Sequence, residues 1–417
     1  MNSIQILIGF IAVLLQVIAI VFGVYQFGVS LFGFTKRSAP GHQAPTQRFA
    51  ILIPAHNEQQ VIGSLLVNLQ KLDYPRELYD VFVIADNCVD DTVALSRSYG
   101  VNVFERQSLT ERGKGHAIRW MLKSLGNYSR KFDAIVMFDA DNLVSANFLQ
   151  VMNDHLCKGE RVVQGYLDTK NPYDSWVSIS MAISYWYTNR MWQLARRRLG
   201  LACALGGTGL CIDATLLRQL GWDGDTIAED TEFGAKCVLA GINPVWSHEA
   251  RVYDEKPVTI MASLRQRLRW MRGHFSCAEK YIWPLLRDGV KQRSLAKFDA
   301  ALYLFQPASF LLVFAASIVI MIQIGLFGRP DALVSAMNAV PNWVWYAANS
   351  AVLVEMLLAM LIDRVNWRGL LGLPLFPIFM ISWVPIIFFA LITRHNQRWH
   401  HTVHTRAIPF QDMQRPH

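Results

Sequence analysis

Three short, unbroken apolar runs each stop at a cluster of polar side chains, and nothing else in the chain limits its fold as tightly. Phe49–Ile53 is stopped by Pro54 and leads into Ala55-His56-Asn57-Glu58; Val81–Ala85 runs into Asp86-Asn87-Cys88; Ala134–Phe138 ends in Asp139-Ala140-Asp141. Such runs do not alternate between apolar and polar residues, so they read as strands buried on both faces. Helical patterns separate them, through Leu69 after the first and from about Asp91 to Tyr99 after the second, and Val101–Phe104 reads as a further strand. Strands of this kind spaced by helices predict an α/β fold around a mostly parallel central sheet. Ligands of such sheets bind beyond the carboxyl ends of the strands, which is where the polar groups collect.

The nucleotide motifs that are missing narrow the chemistry. No GxGxxG follows the first strand and no GxxxxGK[ST] occurs, which disfavours a dinucleotide oxidoreductase and a P-loop ATPase. The six cysteines, at 88, 157, 203, 211, 237 and 277, show no CxxC spacing and read as reduced thiols. The formal charge of +8 suits anionic lipid and nucleotide phosphates, and nothing resembles a nucleic-acid module.

Long apolar stretches flank this region. Residues 5–34, 300–327 and 369–393 carry no charged side chain, and 342–362 contain only Glu355. Each exceeds or approaches the roughly 20 residues that span a hydrocarbon core. The expectation is therefore a transmembrane helix within 1–36, a catalytic domain over 48–290, about three spans over 298–393 and a basic tail over 394–417. Lys36-Arg37 argues for a cytoplasmic domain on a multi-pass plasma-membrane protein. Pro374, Pro377 and Pro385 leave open a re-entrant or surface arrangement of the last stretch. Residues 176–199 interleave Trp176, Tyr185, Trp186 and Trp192 with Arg190 and Arg196-Arg197-Arg198. They read as a helix resting in a headgroup layer, a buried domain helix being the alternative.

The candidate site residues follow from their chemistry. Asp139 and Asp141, two apart beyond a strand, point to one side if the backbone stays extended and can share a divalent cation that neutralises a diphosphate. A turn whose aspartates cap the next helix is the plainer alternative. Asp86, Asn57 and Glu58 are candidates to accept from a nucleobase or ribose. Arg112-Gly113-Lys114-Gly115 opens a helix, and Lys114 with nearby backbone amides can approach a phosphate. Glu229-Asp230 starts a helical pattern running to Ala240, where Asp230 is the candidate base for an acceptor hydroxyl and Glu229 its support; simple capping is the alternative. Leu205-Gly206-Gly207-Thr208-Gly209 allows close backbone approach, with Gly207 and Thr208 as candidate acceptor contacts or a structural turn. Gln266, Arg269 and Trp270 share one helix face: Arg269 suits a diphosphate, Gln266 a sugar or base, and Trp270 offers a flat platform.

At these residues the chain resembles family 2 glycosyltransferases of the membrane-embedded type, which include cellulose, chitin and hyaluronan synthases, the nodulation chito-oligosaccharide synthases and ceramide glucosyltransferase. The resemblance covers roughly 48–290, with four acidic and QxxRW elements in order. It implies a GT-A type nucleotide-sugar transferase domain. It matches Asp86 to the uridine-binding acid, Asp139 and Asp141 to the metal and diphosphate motif, Asp230 to the general base, and Gln266, Arg269 and Trp270 to the element holding diphosphate and acceptor. Trp399-His400-His401-Thr402 and Arg406 resemble the tail of bacterial relatives.

What the resemblance implies is inverting transfer from a UDP-α-sugar, with Mg2+ or Mn2+, to a growing poly- or oligosaccharide, giving a β-linkage. The alternative is one addition to a membrane lipid, a glycolipid synthase. A carbohydrate or lipid acceptor, membrane lipids, and a secretion partner or second copy are the implied partners; a catalytically silent scaffold is the competing class. The layout is nearest the nodulation synthases. The glycine stretch lacks the aromatic-aromatic-cysteine that precedes it in the cellulose and hyaluronan enzymes.

Overall fold

The computed structural model describes residues 3–35, 41–223, 226–327, 342–396 and 406–407. After helix α1 (Ser3–Ser30) the chain builds β1 (Phe49–Ala55), α2 (Ile62–Leu69), β2 (Tyr79–Asp86), α3 (Thr92–Ser98), β3 (Asn102–Arg106), α4 (Lys114–Ser124) and β4 (Ala134–Met137). These are the runs read from the sequence, and they pair in parallel as β3-β2-β1-β4. Their unbroken apolar character has the expected cause. Ile51, Val83 and Val136 face one core with Leu65 and Leu66 of α2. Leu52, Ile84 and Met137 face a second core with Ala117, Ile118 and Met121 of α4.

The expectation of a mostly parallel sheet needs correction. The remaining strands are β5 (Leu143–Val144), β6 (Val162–Thr169), β7 (Leu210–Asp213) and β8 (Val245–Asp254). The described sheet has eight strands in the order β3-β2-β1-β4-β7-β6-β8-β5. Four of its neighbour pairs are parallel and three antiparallel, so it is a mixed sheet. The cause lies at Gly206–Gly209. This segment crosses the carboxyl end of β4, where Gly209 N–H donates to the Met137 carbonyl at 2.9 Å. β7 therefore starts where β4 stops and must run the opposite way, Leu210 opposite Met137.

Between the strands lie α5 (Phe148–Cys157), α6 (Trp176–Thr188), which continues through a π-helical turn into α7 (Ala195–Arg198), then α8 (Ala214–Leu220) and α9 (Glu229–Leu239). Beyond β8 come α10 (Ile260–Gln292), α11 (Leu295–Phe327), α12 (Asn342–Ile362), α13 (Phe376–Ile381) and α14 (Trp383–Ile392).

The membrane expectations are also corrected. Among the described residues no helix is long and apolar enough to cross a membrane, which overturns the transmembrane helices, the multi-pass location and the membrane-embedded type. Several of the uncharged stretches are bounded or broken by groups tied to the rest of the protein. α11 opens with buried Lys297 and Asp299, and Asp299 pairs with Arg196 at 2.9 Å. Tyr25 of α1 donates to the same Asp299 at 2.7 Å, and Ser30 donates to buried Glu355 of α12 at 2.6 Å. Residues 369–393 divide into a 3-10 turn and the short helices α13 and α14. The headgroup-layer reading of 176–199 gives way to its alternative: Val177, Ile183 and Trp186 are buried, and Arg190 pairs with Asp363 at 2.6 Å. Lys36-Arg37, Trp399–Thr402 and most of the tail lie outside the described residues. The six cysteines are free.

Candidate active site

Because β1, β2 and β4 run parallel, their carboxyl ends open on one edge, and α4, α9 and α10 close over it. The resulting cavity of 380 Å³ is lined by Glu58, Asp86, Lys114, Asp139 and Asp141 from the strand side. Gly207, Thr208, Glu229 and Asp230 also line it, as do Gln266, Arg269 and Trp270 of α10. Every candidate site residue lines it except Asn57. That residue sits at φ 55 in the left-handed region, which asparagine tolerates, and its Oδ1 accepts from Val89 N–H at 2.9 Å. Asn57 shapes the loop after β1 and stays outside the cavity.

Asp86 is fixed by a residue the sequence reading missed. Arg106 closes β3 directly opposite it, and the two buried side chains pair at 2.6 Å. His56 Nδ1 donates to the Asp86 carbonyl at 2.6 Å. The only signal for Arg106 was its place two residues after an apolar run.

Lys114 is the centre of the site. It follows Gly113, which turns the chain into α4 at φ 110. Its ammonium donates to Asp139 Oδ1 at 2.5 Å and to the Gly207 carbonyl at 2.8 Å. Gly207 has φ 77, and a Cβ there would lie 3.3 Å from Asp230 Oδ2 and 3.6 Å from Lys114 Nζ, so only glycine allows this approach. Burial disfavours the Lys114 charge, but Asp139, Glu229 and Asp230 outweigh it and hold its pKa above the usual lysine value.

Glu229 and Asp230 begin α9, are partly buried and line the cavity. Burial, then the Asp230 charge, pushes Glu229 up to about 7 against the pull of Lys114. Burial likewise raises Asp230, opposed by the Thr231 amide at 2.7 Å and by Lys114. The pair titrates as a unit. α10 presses close behind: a Cβ on Gly273 would lie 2.5 Å from Ala228 Cβ, one residue before Glu229. Gly273→Val is therefore expected to displace α9 from α10 and cost about 1–3 kcal/mol. Its melting temperature and turnover should both fall; an unchanged turnover would show that this packing does not position Asp230.

The aspartate pair does not lie on extended backbone. Residues 140–141 form a turn closed by Asn142 N–H donating to the Asp139 carbonyl at 3.1 Å. Buried Asn142 accepts from Asp139 N–H at 3.0 Å and from the Thr208 hydroxyl. Thr208 thus directs its hydroxyl at the turn, while the backbone around it borders the cavity. Among the described residues no three His, Cys, Asp or Glu side chains are arranged to hold a metal by themselves. Two hard carboxylates of one turn still fit a Mg2+ or Mn2+ ion that takes its other ligands from diphosphate and water.

On the helical side, Gln266 Oε1 is buried and has no hydrogen-bond partner among the described residues. Tyr185, Met271, His274 and Tyr303 extend the wall beyond Trp270. Burial lowers the His274 pKa to about 4, so the ring is neutral and donates to the Leu304 carbonyl at 3.1 Å. Asp254 also lines the cavity; burial raises it to about 6, opposed by Lys256 at 2.7 Å. Arg267 points away, buried between the Phe379 and Trp383 rings at 4.2 and 4.8 Å, and so ties α10 to α13 and α14. Tyr185, Asp254, Met271, His274 and Tyr303 were not picked out from sequence as site residues; the partners of His274 and of Arg267 are remote along the chain.

Residues 45–273 match the family described as "Glycosyltransferase like family 2". A probable glycosyltransferase YdaM of Bacillus subtilis (strain 168) is 27% identical over 250 residues, 56% of this chain and 57% of that one. A beta-monoglucosyldiacylglycerol synthase of Nostoc sp. (strain PCC 7120 / SAG 25.82 / UTEX 2576) is 26% identical over 308 residues, 69% of this chain and 62% of that one. The chain thus spans about three fifths of the length of these curated relatives. Among solved structures, the mannosyltransferase PcManGT from Pyrobaculum calidifontis in complex with GDP-Man and Mn2+ shares the fold, with a TM-score of 0.57 over 85% of this chain and 99% of that one at 18% identity.

Proposed function

Because the chain belongs to the glycosyltransferase like family 2, we propose that it is a metal-dependent, inverting glycosyltransferase that moves a sugar from a UDP-α-sugar to the hydroxyl of a lipid acceptor. The observation that carries the reading is the Lys114 ammonium, which joins Asp139 on the donor side to the Gly207 carbonyl and lies among the charges of Glu229 and Asp230. A leaving diphosphate and an incoming hydroxyl need such opposite sides of one small cavity.

Asp139 and Asp141 would hold the divalent cation, which when bound supplies charge neutralisation for the departing diphosphate. Asp86 and Glu58 flank the nucleoside end. Lys114 and Arg269 carry positive charge to the phosphates. Gln266 Oε1 is a buried acceptor suited to a sugar hydroxyl. Asp230 takes the acceptor proton as the acceptor oxygen bonds to the anomeric carbon. The carbon–oxygen bond to phosphate breaks and its electron pair leaves on UDP. Displacement from the opposite face inverts the α-configuration to β, and no carboxylate nucleophile is needed.

Single addition to a lipid is preferred over extension of a poly- or oligosaccharide. The monoglucosyldiacylglycerol synthase matches 69% of this chain, and Trp270, Met271, neutral His274 and the rings of Tyr185 and Tyr303 contribute apolar and aromatic surface to the cavity lining. The test is UDP release from a panel of UDP-sugars with Mn2+ and diacylglycerol, followed by product mass. Addition of several sugars per acceptor would reverse the preference, and no UDP from any donor would end the reading.

A pH dependence follows. Asp230 acts only when deprotonated and burial raises its pKa, so transfer should be lost as pH falls, along a limb displaced upward from that of an ordinary aspartate. Removing a like charge lowers a neighbour's pKa, so Glu229→Gln should move that limb to lower pH. A limb that stays in place assigns the titration elsewhere.

A further inference from the structure

We infer that Lys170, together with the segment at Arg406, is a positioning residue that holds the Asp139-Ala140-Asp141 turn from behind; the inference rests on the reading that this turn binds a divalent cation. Lys170 follows β6, and its side chain is 2% exposed. It is not among the residues lining the cavity, and so it can act only through its neighbours. Its ammonium donates to the Asp141 carbonyl at 2.8 Å and to the Arg406 carbonyl at 2.9 Å, and it pairs with Glu255 Oε2 at 3.3 Å. Two of the ammonium's donors thus reach backbone carbonyls, and its charge is balanced by the ion pair with Glu255.

The acceptors come from three separate parts of the chain, and further bonds close the ring between them. Glu255 N–H donates to Asp141 Oδ2 at 2.9 Å, which orients the carboxylate itself. Arg406 N–H donates to Glu255 Oε2 at 3.0 Å, and its Nε donates to Asp174 Oδ2 at 2.9 Å. Lys170 N–H donates to the Asp254 carbonyl at 2.9 Å and ties the ends of β6 and β8 together. The peptide that carries Asp141 is thus held at its carbonyl by Lys170 and at its side chain by Glu255. Since the turn is bent, nothing in regular secondary structure sets the direction of Asp141. Asn142 Nδ2 donates to Asp141 Oδ1 at 3.3 Å, while the network around Lys170 holds the peptide carbonyl and the other carboxylate oxygen, and Arg406 joins that network from more than two hundred residues away in sequence.

Groups that orient a metal ligand without touching the metal typically change its affinity by about 10–100-fold when removed. The experiment titrates Mn2+ into the UDP-saturated full-length chain and follows free Mn2+ by electron paramagnetic resonance, with UDP binding without metal and the melting temperature measured alongside. Lys170→Met is expected to weaken Mn2+ binding about tenfold or more and leave metal-free UDP binding unchanged. Lys170→Gln, which keeps a neutral donor of similar reach, is expected to weaken it by about tenfold as well, and it decides the question if Lys170→Met does not fold. Wild-type Mn2+ affinity in the folded variants overturns the inference. Absence of Mn2+ binding by the wild-type chain with UDP withdraws the proposed function, and this inference with it.

Discussion

Asp230→Asn is expected to lower the rate of sugar transfer by about 10³-fold, within the range for loss of a positioned general base, while UDP affinity changes little. The amide keeps the size of the carboxylate and its acceptor oxygen, so the bond from the Thr231 amide survives. The space beside Gly207, where a Cβ would lie 3.3 Å from Asp230 Oδ2, is also preserved. What disappears is the capacity to take a proton. A loss of about 10³ corresponds to roughly 4 kcal/mol of transition-state stabilisation, too much for a merely structural contact at the cavity wall. Turnover with UDP-sugar and lipid acceptor, beside UDP titration by calorimetry, separates the two effects.

Glu229 is the natural rival, since it opens the same helix. Its pKa is pushed up to about 7 by burial and by the Asp230 charge, which favours Glu229 as the site of a proton shared by the pair. Asp230 has the Thr231 amide holding its charge and faces Gly207 directly. Glu229→Gln should therefore cost much less than Asp230→Asn. If the order were reversed, the base would be Glu229 and the acceptor would enter from the other side of Lys114.

Much of this site was legible because it is built where buried strands end. β1, β2 and β4 lie between two cores, so their sequences are apolar without a break and the first polar residues mark the sheet edge. The other half of the sheet carried no such signal. β6 is wholly buried yet includes Gln164 and Asp168. Gln164 bonds the Gly206 amide at 2.8 Å and the Thr208 carbonyl at 2.9 Å, and Asp168 accepts from Trp186 Nε1 at 3.0 Å. Polar residues satisfied by remote partners look like loop in a linear reading. β7 has four residues, too few for any period.

The same limit explains the misread surfaces. Arg190 and Arg196 suggested a headgroup layer because Asp363 and Asp299, which neutralise them, lie more than a hundred residues away. The long uncharged stretches suggested spans because a count of charges does not show that Glu355 is met by Ser30 and Tyr187, or that Asp299, just before the uncharged run, is buried against Arg196. Asn57 and Thr208 were chosen for their polar side chains, but those side chains serve neighbouring backbone. Chemistry that depends on one residue at a strand end is visible in sequence; chemistry that depends on a distant partner is not.

Asp139→Ala is expected to abolish the Mn2+ dependence of donor binding and to reduce transfer by about 10³-fold or more, as befits loss of a group that stabilises charge at the leaving oxygen. The second consequence is electrostatic and distinguishes this variant from Asp141→Ala. Lys114 now spends its closest contact, 2.5 Å, on Asp139. With that partner gone, its charge acts more fully on Glu229 and Asp230, which already lower its cost of burial. Loss of the Asp139 carboxylate also removes a nearby negative charge that raises the Asp230 pKa. Both changes favour the deprotonated base, so residual transfer in Asp139→Ala should lose activity at a lower pH than the wild type. Asp141 is oriented by the Glu255 amide at 2.9 Å, whereas Lys114 bonds Asp139, and Asp141→Ala should lose metal dependence with a smaller downward displacement. Metal titration of UDP binding and the pH dependence of residual transfer measure the two effects independently. Unchanged Mn2+ dependence in both variants would remove the cation from this turn.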